Sequence, residues 1–375
     1  MASLFGLFKK DNSFIGIDIG SSSVKVIQLR KDKGRVILET YGELSTGPYA
    51  DKAVGQAVNL PPDQLALLMK DLFKEANITT KVGSMAIPLR SSLLVSIKVP
   101  ELAEEKLAQM VPLEARKYIP VPISEVMLDW SVIPPATGGY EVDEDPSSAS
   151  PDTEKVTSPK SHQIEVLIVA IHKDTISQYG EIARQASIDA KFLEIETFSA
   201  MRSSFQNDLG ATVIVDIGAA TTKMVIIDRG VIRMSHTINK GSQDVTLAIA
   251  RSLNISFAKA EEIKRKVGLV EKVGDKDMGE TISPIVEYVF NEVSQVMIEY
   301  QKEQNRSVEK VIILGGGALL KGLFEVAKEN IYAPVVLGTP FDRVEAPSFL
   351  ENILREVGPG FAVAIGLALR GLEEL

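Results

Sequence analysis

Two stretches of the chain share one rhythm of apolar and polar positions. Each has a run of β-branched residues, an acid and a glycine, a short polar turn, and a second apolar run. The first is Ile17-Asp18-Ile19-Gly20-Ser21-Ser22-Ser23-Val24-Lys25-Val26-Ile27; the second is Val215-Asp216-Ile217-Gly218-Ala219-Ala220-Thr221-Thr222-Lys223-Met224-Val225. Both read D-I-G-x-x-[ST]-x-K, and each predicts a strand, a tight glycine turn and a second strand. A repeated element predicts two similar lobes, each contributing one hairpin to a shared place.

Between the repeats the pattern alternates. Pro61 to Asn77 predicts a helix with Leu65, Leu68, Met69 and Leu72 on one face. Ser84 to Leu89 and Leu93 to Val99 predict strands. Glu101 to Tyr118 predicts a helix with Leu102, Leu107 and Met110 inward and a bend at Pro112. Val126 to Ile133 and Ile164 to Ile171 predict paired strands, joined by Pro134 to Ser161. That linker is rich in Pro, Ser and Gly and carries Glu141, Asp143, Glu144 and Asp145, which predicts a disordered tip. Asp174 opens a helix to about Ser187, Lys191 to Ile195 is a short strand, and Thr197 to Asn207 a helix. In the second lobe, Ser242–Leu253, Ala258–Val267 and Ser283–Lys302 predict helices. Lys310 to Leu314 predicts a buried strand ending in Gly315-Gly316-Gly317, with a helix from about Ala318. The apolar run Phe361 to Leu369 predicts a helix packed on both faces.

At 375 residues the chain is long enough for two lobes with sizeable cores. A formal net charge of -9 argues against general nucleic-acid binding. The absence of cysteine excludes disulfides, thiol catalysis and cysteine-held metals. The three histidines, His162, His172 and His236, lack metal-ligand spacing. No apolar run reads as reaching the roughly 20 residues of a membrane-spanning helix. Leu4, Phe5, Leu7 and Phe8, followed by Lys9 and Lys10, would suit a short membrane-surface contact or a frayed end.

Glycine turns after strands offer backbone N–H donors to phosphate. Gly20, Ser21, Ser22 and Ser23 form one such turn; Gly218, Ala219, Thr221 and Thr222 form the other. Lys25 would neutralise phosphate charge. Asp18 and Asp216 each end a strand beside a turn; facing each other, they suit a hydrated magnesium ion, and read singly each merely caps its turn. Gly315, Gly316 and Gly317 precede a helix start, a natural anion contact. Position 320 is Leu, so this is not the dinucleotide fingerprint, and no G-x-x-x-x-G-K-[ST] loop is present.

The succession D-I-G-S-S-S-V-K, D-I-G-A-A-T-T-K and L-G-G-G-A-L-L-K-G resembles the actin-like ATPases. It implies an α/β, two-lobed actin-like ATPase fold with an inserted small subdomain in the first lobe. The first lobe would span 1–210, with the insertion at about 91–170. The second would span 211–340, with a subdomain at about 240–285, and 341–375 would return to the first lobe. The resemblance implies ATP and Mg2+ as ligands. It assigns the phosphate hairpins as above, the adenosine turn to Gly315–Gly317, an adenosine-framing helix to Glu261, Lys264 and Arg265, and a nucleotide approach to Gly241. It also places Glu196 where chaperone relatives orient the attacking water, though a plain helix-start residue favoured by the helix dipole is an equal reading; tight ATP binding and slow hydrolysis at most are expected.

Tyr118-Ile119-Pro120-Val121-Pro122-Ile123-Ser124-Glu125-Val126, Asp189–Glu196 and Gly358–Gly371 narrow the match. They resemble the PilM family of type IV pilus assembly proteins, on the FtsA-like branch. That implies a cytoplasmic protein at the inner-membrane face, peripheral to it through partners, that binds the cytoplasmic N-terminal peptide of PilN. It would couple the alignment complex to the pilus motor or platform. The implied groove lies between the first lobe and its inserted subdomain, at about 91–170, with Tyr118, Ile119, Pro120 and Pro122 as contacts; a packed hinge is the other reading of those four. Two further readings share the fold: a sugar or acid kinase, for which no acceptor motif is visible, and an FtsA-like filament protein. FtsA carries a C-terminal amphipathic membrane helix, and the chain here closes at Gly371-Leu-Glu-Glu-Leu375.

Overall fold

Strands form where β-branched runs can be buried on both faces, and helices where apolar residues recur every three to four positions. In the computed structural model, residues 12–133, 163–206 and 210–375 are described. The expectations for residues 4–10 and for the 134–161 linker lie outside them. In chain order the strands are β1 (Ser13–Ile19), β2 (Ser23–Asp32), β3 (Arg35–Ser45), β4 (Val82–Ile87), β5 (Ser92–Pro100), β6 (Val126–Ile133), β7 (Gln163–His172), β8 (Asp189–Ile195), β9 (Ala211–Ile217), β10 (Thr222–Asp228), β11 (Val231–Ile238), the short pair β12 (Lys272–Val273) and β13 (Lys276–Asp277), β14 (Val308–Leu314) and β15 (Val335–Leu337). The α-helices are α1 (Pro62–Glu75), α2 (Glu104–Ala115), α3 (Lys173–Gln185), α4 (Glu196–Ser204), α5 (Ser242–Leu253), α6 (Phe257–Val267), α7 (Met278–Gln304), α8 (Leu323–Asn330), α9 (Glu351–Val357) and α10 (Ala362–Glu374).

The chain divides into two compact units, Leu93–His172 and the remainder. The larger unit holds two five-stranded sheets, ordered β3-β2-β1-β4-β8 and β11-β10-β9-β14-β15. Each begins with three antiparallel strands and adds two parallel ones. The sequence repeat is therefore a structural repeat. β1 and β9 are central, which explains their nearly unbroken apolar runs.

Most element expectations hold to within a few residues, and the departures have local causes. The helix placed at 101–118 begins at Glu104, so Leu102 precedes it and is exposed, while Leu107, Val111 and Ala115 face inward. After the glycine triplet the chain makes a 3-10 turn, Gly316–Leu319. It then passes Gly322 in the left-handed region before α8 begins at Leu323. That left-handed residue suits a glycine and delays the helix. The stretch Ser348–Glu374 is long and apolar enough to cross a membrane, which the sequence reading did not register. Its most apolar window is two-thirds buried, because α10 packs against β1, β2, β4 and α4. It passes the composition test as a core helix does.

The smaller unit is a three-stranded sheet, β5-β7-β6, with β6 and β7 antiparallel. α2 covers it through Leu107, Val111 and Ala115 against Ile97, Val166 and Ile168. Ile119 is buried in this core, whereas Tyr118, Pro120 and Pro122 are exposed.

Candidate functional site: a cleft between two glycine hairpins

The turns after β1 and β9 open onto one cavity of about 270 Å³ in the larger unit. In the first hairpin, Gly20 N–H donates to the Ser23 carbonyl at 3.0 Å. The Ser21 carbonyl is taken by Val58 N–H and the Thr46 hydroxyl, and the Ser22 carbonyl by Thr46 N–H. In the second, Gly218 N–H donates to the Thr221 carbonyl at 3.0 Å. The Gly218 and Ala219 carbonyls accept from Ser242 and Gln243 at the start of α5. None of the hydrogen bonds that close these turns uses the N–H groups of Ser22, Ala219 or Ala220, three residues that line the cavity.

Side chains alternate along the strands that leave each turn. Ser23 and Lys25 face the cavity from β2; Thr221 and Lys223 face it from the other hairpin. Thr222 lies between the latter two, fully buried, and its hydroxyl donates to the Lys240 carbonyl at 2.9 Å. It sits behind the turn rather than on the cavity wall. Gly241 also lies behind the turn. A Cβ there would collide with the Ala219 carbonyl, so it is glycine to let α5 approach the hairpin.

Asp18 and Lys25 are cross-strand partners, and so are Asp216 and Lys223. Both aspartates line the cavity. Lys25 Nζ lies 3.0 Å from Ser23 Oγ and 3.3 Å from Glu43 Oε1. Lys223 Nζ reaches across the floor to Glu196 Oε2 at 2.7 Å and lies 3.7 Å from Asp216 Oδ2. Glu196 opens α4, and its other oxygen accepts from Leu89 N–H at 2.7 Å. Burial opposes charge on Lys223, but Glu196 and Asp216 outweigh it and raise its pKa. Burial is also the main influence on Asp18. With help from Glu196 and Asp216, it pushes that carboxyl up to about 6, against Lys25 and Lys223.

The sign of that shift makes a prediction. A folded-state pKa above the unfolded one means that ionised Asp18 costs stability above pH 6 and that the cost fades as the group takes up its proton. Asp18→Asn is expected to stabilise the nucleotide-free protein by about 1–3 kcal/mol at pH 8. The gain should shrink toward pH 5, as followed by denaturant unfolding. A gain that does not change with pH would remove the assigned cause.

The other wall is α6 and the glycine triplet. Glu261 is buried and accepts from Lys264 Nζ at 2.7 Å, Arg265 Nε at 2.8 Å and Thr246 Oγ1 at 2.7 Å. A Cβ on Gly55 would come within 2.7 Å of the Glu261 carboxyl carbon, so Gly55 admits this cluster to the edge of the cavity. Gly315 has φ +85°, and a Cβ there would strike Asp216 and the Ile217 carbonyl. Gly317 packs on Ile217, while Gly316 has open space beside it. Lys223, Glu43, Arg90, Ser242 and Gly360 also line the cavity and were not singled out from sequence. Lys223 had a signal, since it closes the same motif as Lys25.

The donor chemistry fits a hydrated divalent cation. Of the five carboxylates that line the cavity, Glu43, Glu196 and Glu261 are each paired with a lysine, which leaves Asp18 and Asp216 as the candidate pair, and no group of three or more side chains placed to hold a metal ion occurs among the described residues. Magnesium keeps several waters and needs few protein oxygens.

Comparison with known proteins shows the family and the fold. The family model for type IV pilus assembly protein PilM matches residues 16–372. Cell division protein FtsA from Staphylococcus epidermidis is 23% identical over 382 residues, covering 92% of this chain and 78% of its own length. A solved PilM–PilN type IV pilus biogenesis complex superposes with TM-score 0.77 at 25% identity, covering 96% of this chain and 98% of that one. The ethanolamine utilization protein EutJ of Carboxydothermus hydrogenoformans superposes with TM-score 0.54 at 16% identity over 95% and 89% of the two chains. MreB5 of Spiroplasma citri bound to ADP does so with 0.52 at 12% over 95% and 94%. With its two repeated sheets meeting at a hairpin-lined cleft and a family match over nearly its whole length, the chain has the actin-like ATPase fold and belongs to the PilM family of type IV pilus assembly proteins.

Proposed function

We propose that this chain is a cytoplasmic, nucleotide-holding adaptor of the type IV pilus machine. One observation carries the nucleotide part: two hairpins from separate sheets present backbone N–H groups and one lysine each to a single cavity. ATP would lie with its phosphates between Gly20–Ser23 and Gly218–Thr221. Its adenosine would lie toward Gly315–Gly317 and the Glu261–Lys264–Arg265 cluster. Asp18 and Asp216 would hold a hydrated magnesium ion, which neutralises phosphate charge. Each Glu196 oxygen already accepts a strong hydrogen bond. An attacking water would therefore have to use the remaining lone pairs, which fits slow turnover.

The adaptor part rests on the family and on the PilM–PilN complex. The smaller unit is the proposed receiver of a PilN-type N-terminal peptide. Exposed Tyr118, Pro120 and Pro122 form a stiff apolar strip anchored by buried Ile119, suited to a short peptide. The test is calorimetry of the full chain with Mg·ATP and a synthetic peptide of that type, with Trp130 emission followed in parallel. Trp130 is the only tryptophan and lies partly buried on β6. Heat on both titrations and a changed emission with peptide are expected. Peptide binding with unchanged emission would move the peptide site away from the smaller unit, and absence of peptide binding would end the adaptor reading.

A further inference from the structure

The lysine on the second hairpin has so far been counted only as lining the cavity. Its surroundings are specific. Lys223 faces Asp216 across the β9–β10 ladder, as Lys25 faces Asp18 across β1–β2. Its Nζ lies beneath the second turn, 3.9 Å from where a Cβ on Gly218 would stand. It bridges the two lobes, 2.7 Å from Glu196 of the first and 3.7 Å from Asp216 of the second. The ammonium thus lies between two carboxylates and beside the glycine that opens the second turn. A fixed cation there attracts phosphate oxygens and also screens the carboxylates that would repel them.

We propose that Lys223 is a built-in phosphate cation, the counterpart of Lys25 on the opposite jaw, and that it lets this cleft bind a nucleoside triphosphate without a divalent metal. Magnesium on Asp18 and Asp216 then adds an increment to a site already largely neutralised. The inference rests on the nucleotide reading and adds a residue and a metal dependence to it.

The experiment measures ATP affinity of the full chain in excess Mg2+ and in EDTA, for wild type, Lys223→Arg, Lys223→Met and the pair Lys223→Met with Glu196→Gln. The pair is included because lone Lys223→Met leaves Glu196 without its counter-ion and is the variant prone to misfold. Thermal unfolding without nucleotide separates lost folding from lost binding. Wild type is expected to weaken no more than about tenfold in EDTA. Lys223→Arg should stay close to it, and both folded Met variants should weaken at least about a hundredfold in EDTA. Wild-type binding abolished by EDTA would overturn the proposal and leave the nucleotide reading intact. So would a folded double variant that binds ATP in EDTA as wild type does. Wild type that binds ATP in neither condition would overturn both.

Discussion

Replacing either Asp18 or Asp216 with alanine is expected to erase the magnesium-dependent part of ATP binding, so that each variant shows the same affinity in Mg2+ and in EDTA. Both carboxylates face the one cavity, and the other three that line it, Glu43, Glu196 and Glu261, are each engaged by a lysine. If Asp18 and Asp216 hold the ion as proposed, removing one takes half its charged ligands from a cation that is reluctant to shed water. Nucleotide binding in EDTA should persist in both variants, because the hairpin N–H groups and the two lysines remain. The informative measurement is therefore the ratio of the two affinities for each protein. A ratio unchanged from wild type in both variants would place the metal elsewhere.

The second large effect is structural. Gly366→Ala is expected to cost about 3 kcal/mol or more of stability, at or beyond the upper end of ordinary overpacking. A Cβ at position 366 would be driven into the Ser199 carbonyl, and one at Gly16 into the backbone of Ala364 and Ala368. Neither obstacle is a flexible side chain. α10 lies where backbone meets backbone, between β1 and α4, so it has no room to yield. Arg202 and Arg370 meet on buried Glu194, and Arg202 also donates to the Gly366 carbonyl. Any shift of α10 disturbs that ion cluster as well. Denaturant unfolding would read the loss, and wild-type stability for Gly366→Ala would show that the helix can move. Because β1 carries Asp18, such a variant should also weaken ATP binding even where it folds.

The hairpins were legible because everything that makes them is local: a buried β-branched run, a glycine turn, and a register that fixes which residues alternate. The same alternation assigns Thr221 and Lys223 to one face and Thr222 to the other. Thr222 stands behind the turn because its side chain points away from the cavity, as the strand period requires. The helix limits near Glu104 and Leu323 shifted for reasons a periodicity does not contain, such as a left-handed glycine. Ser348–Glu374 illustrates the opposite error. Its composition suits a membrane as well as a core, and only its packing against β1 and α4 tells them apart.

What the sequence alone determined was the repeat, and with it two strand–glycine turn–strand hairpins and two Asp–Lys couples, because each depends on residues within a dozen positions of one another. Only the tertiary structure decided that Glu196 and Lys223 meet on one cavity floor and that the Glu261–Lys264–Arg265 cluster lies beside Gly55. The structure also decided that the C-terminal helix lies under β1. These are contacts between segments far apart in the chain. They depend on how the two sheets and their connecting helices pack, and no local pattern of residues encodes that distance.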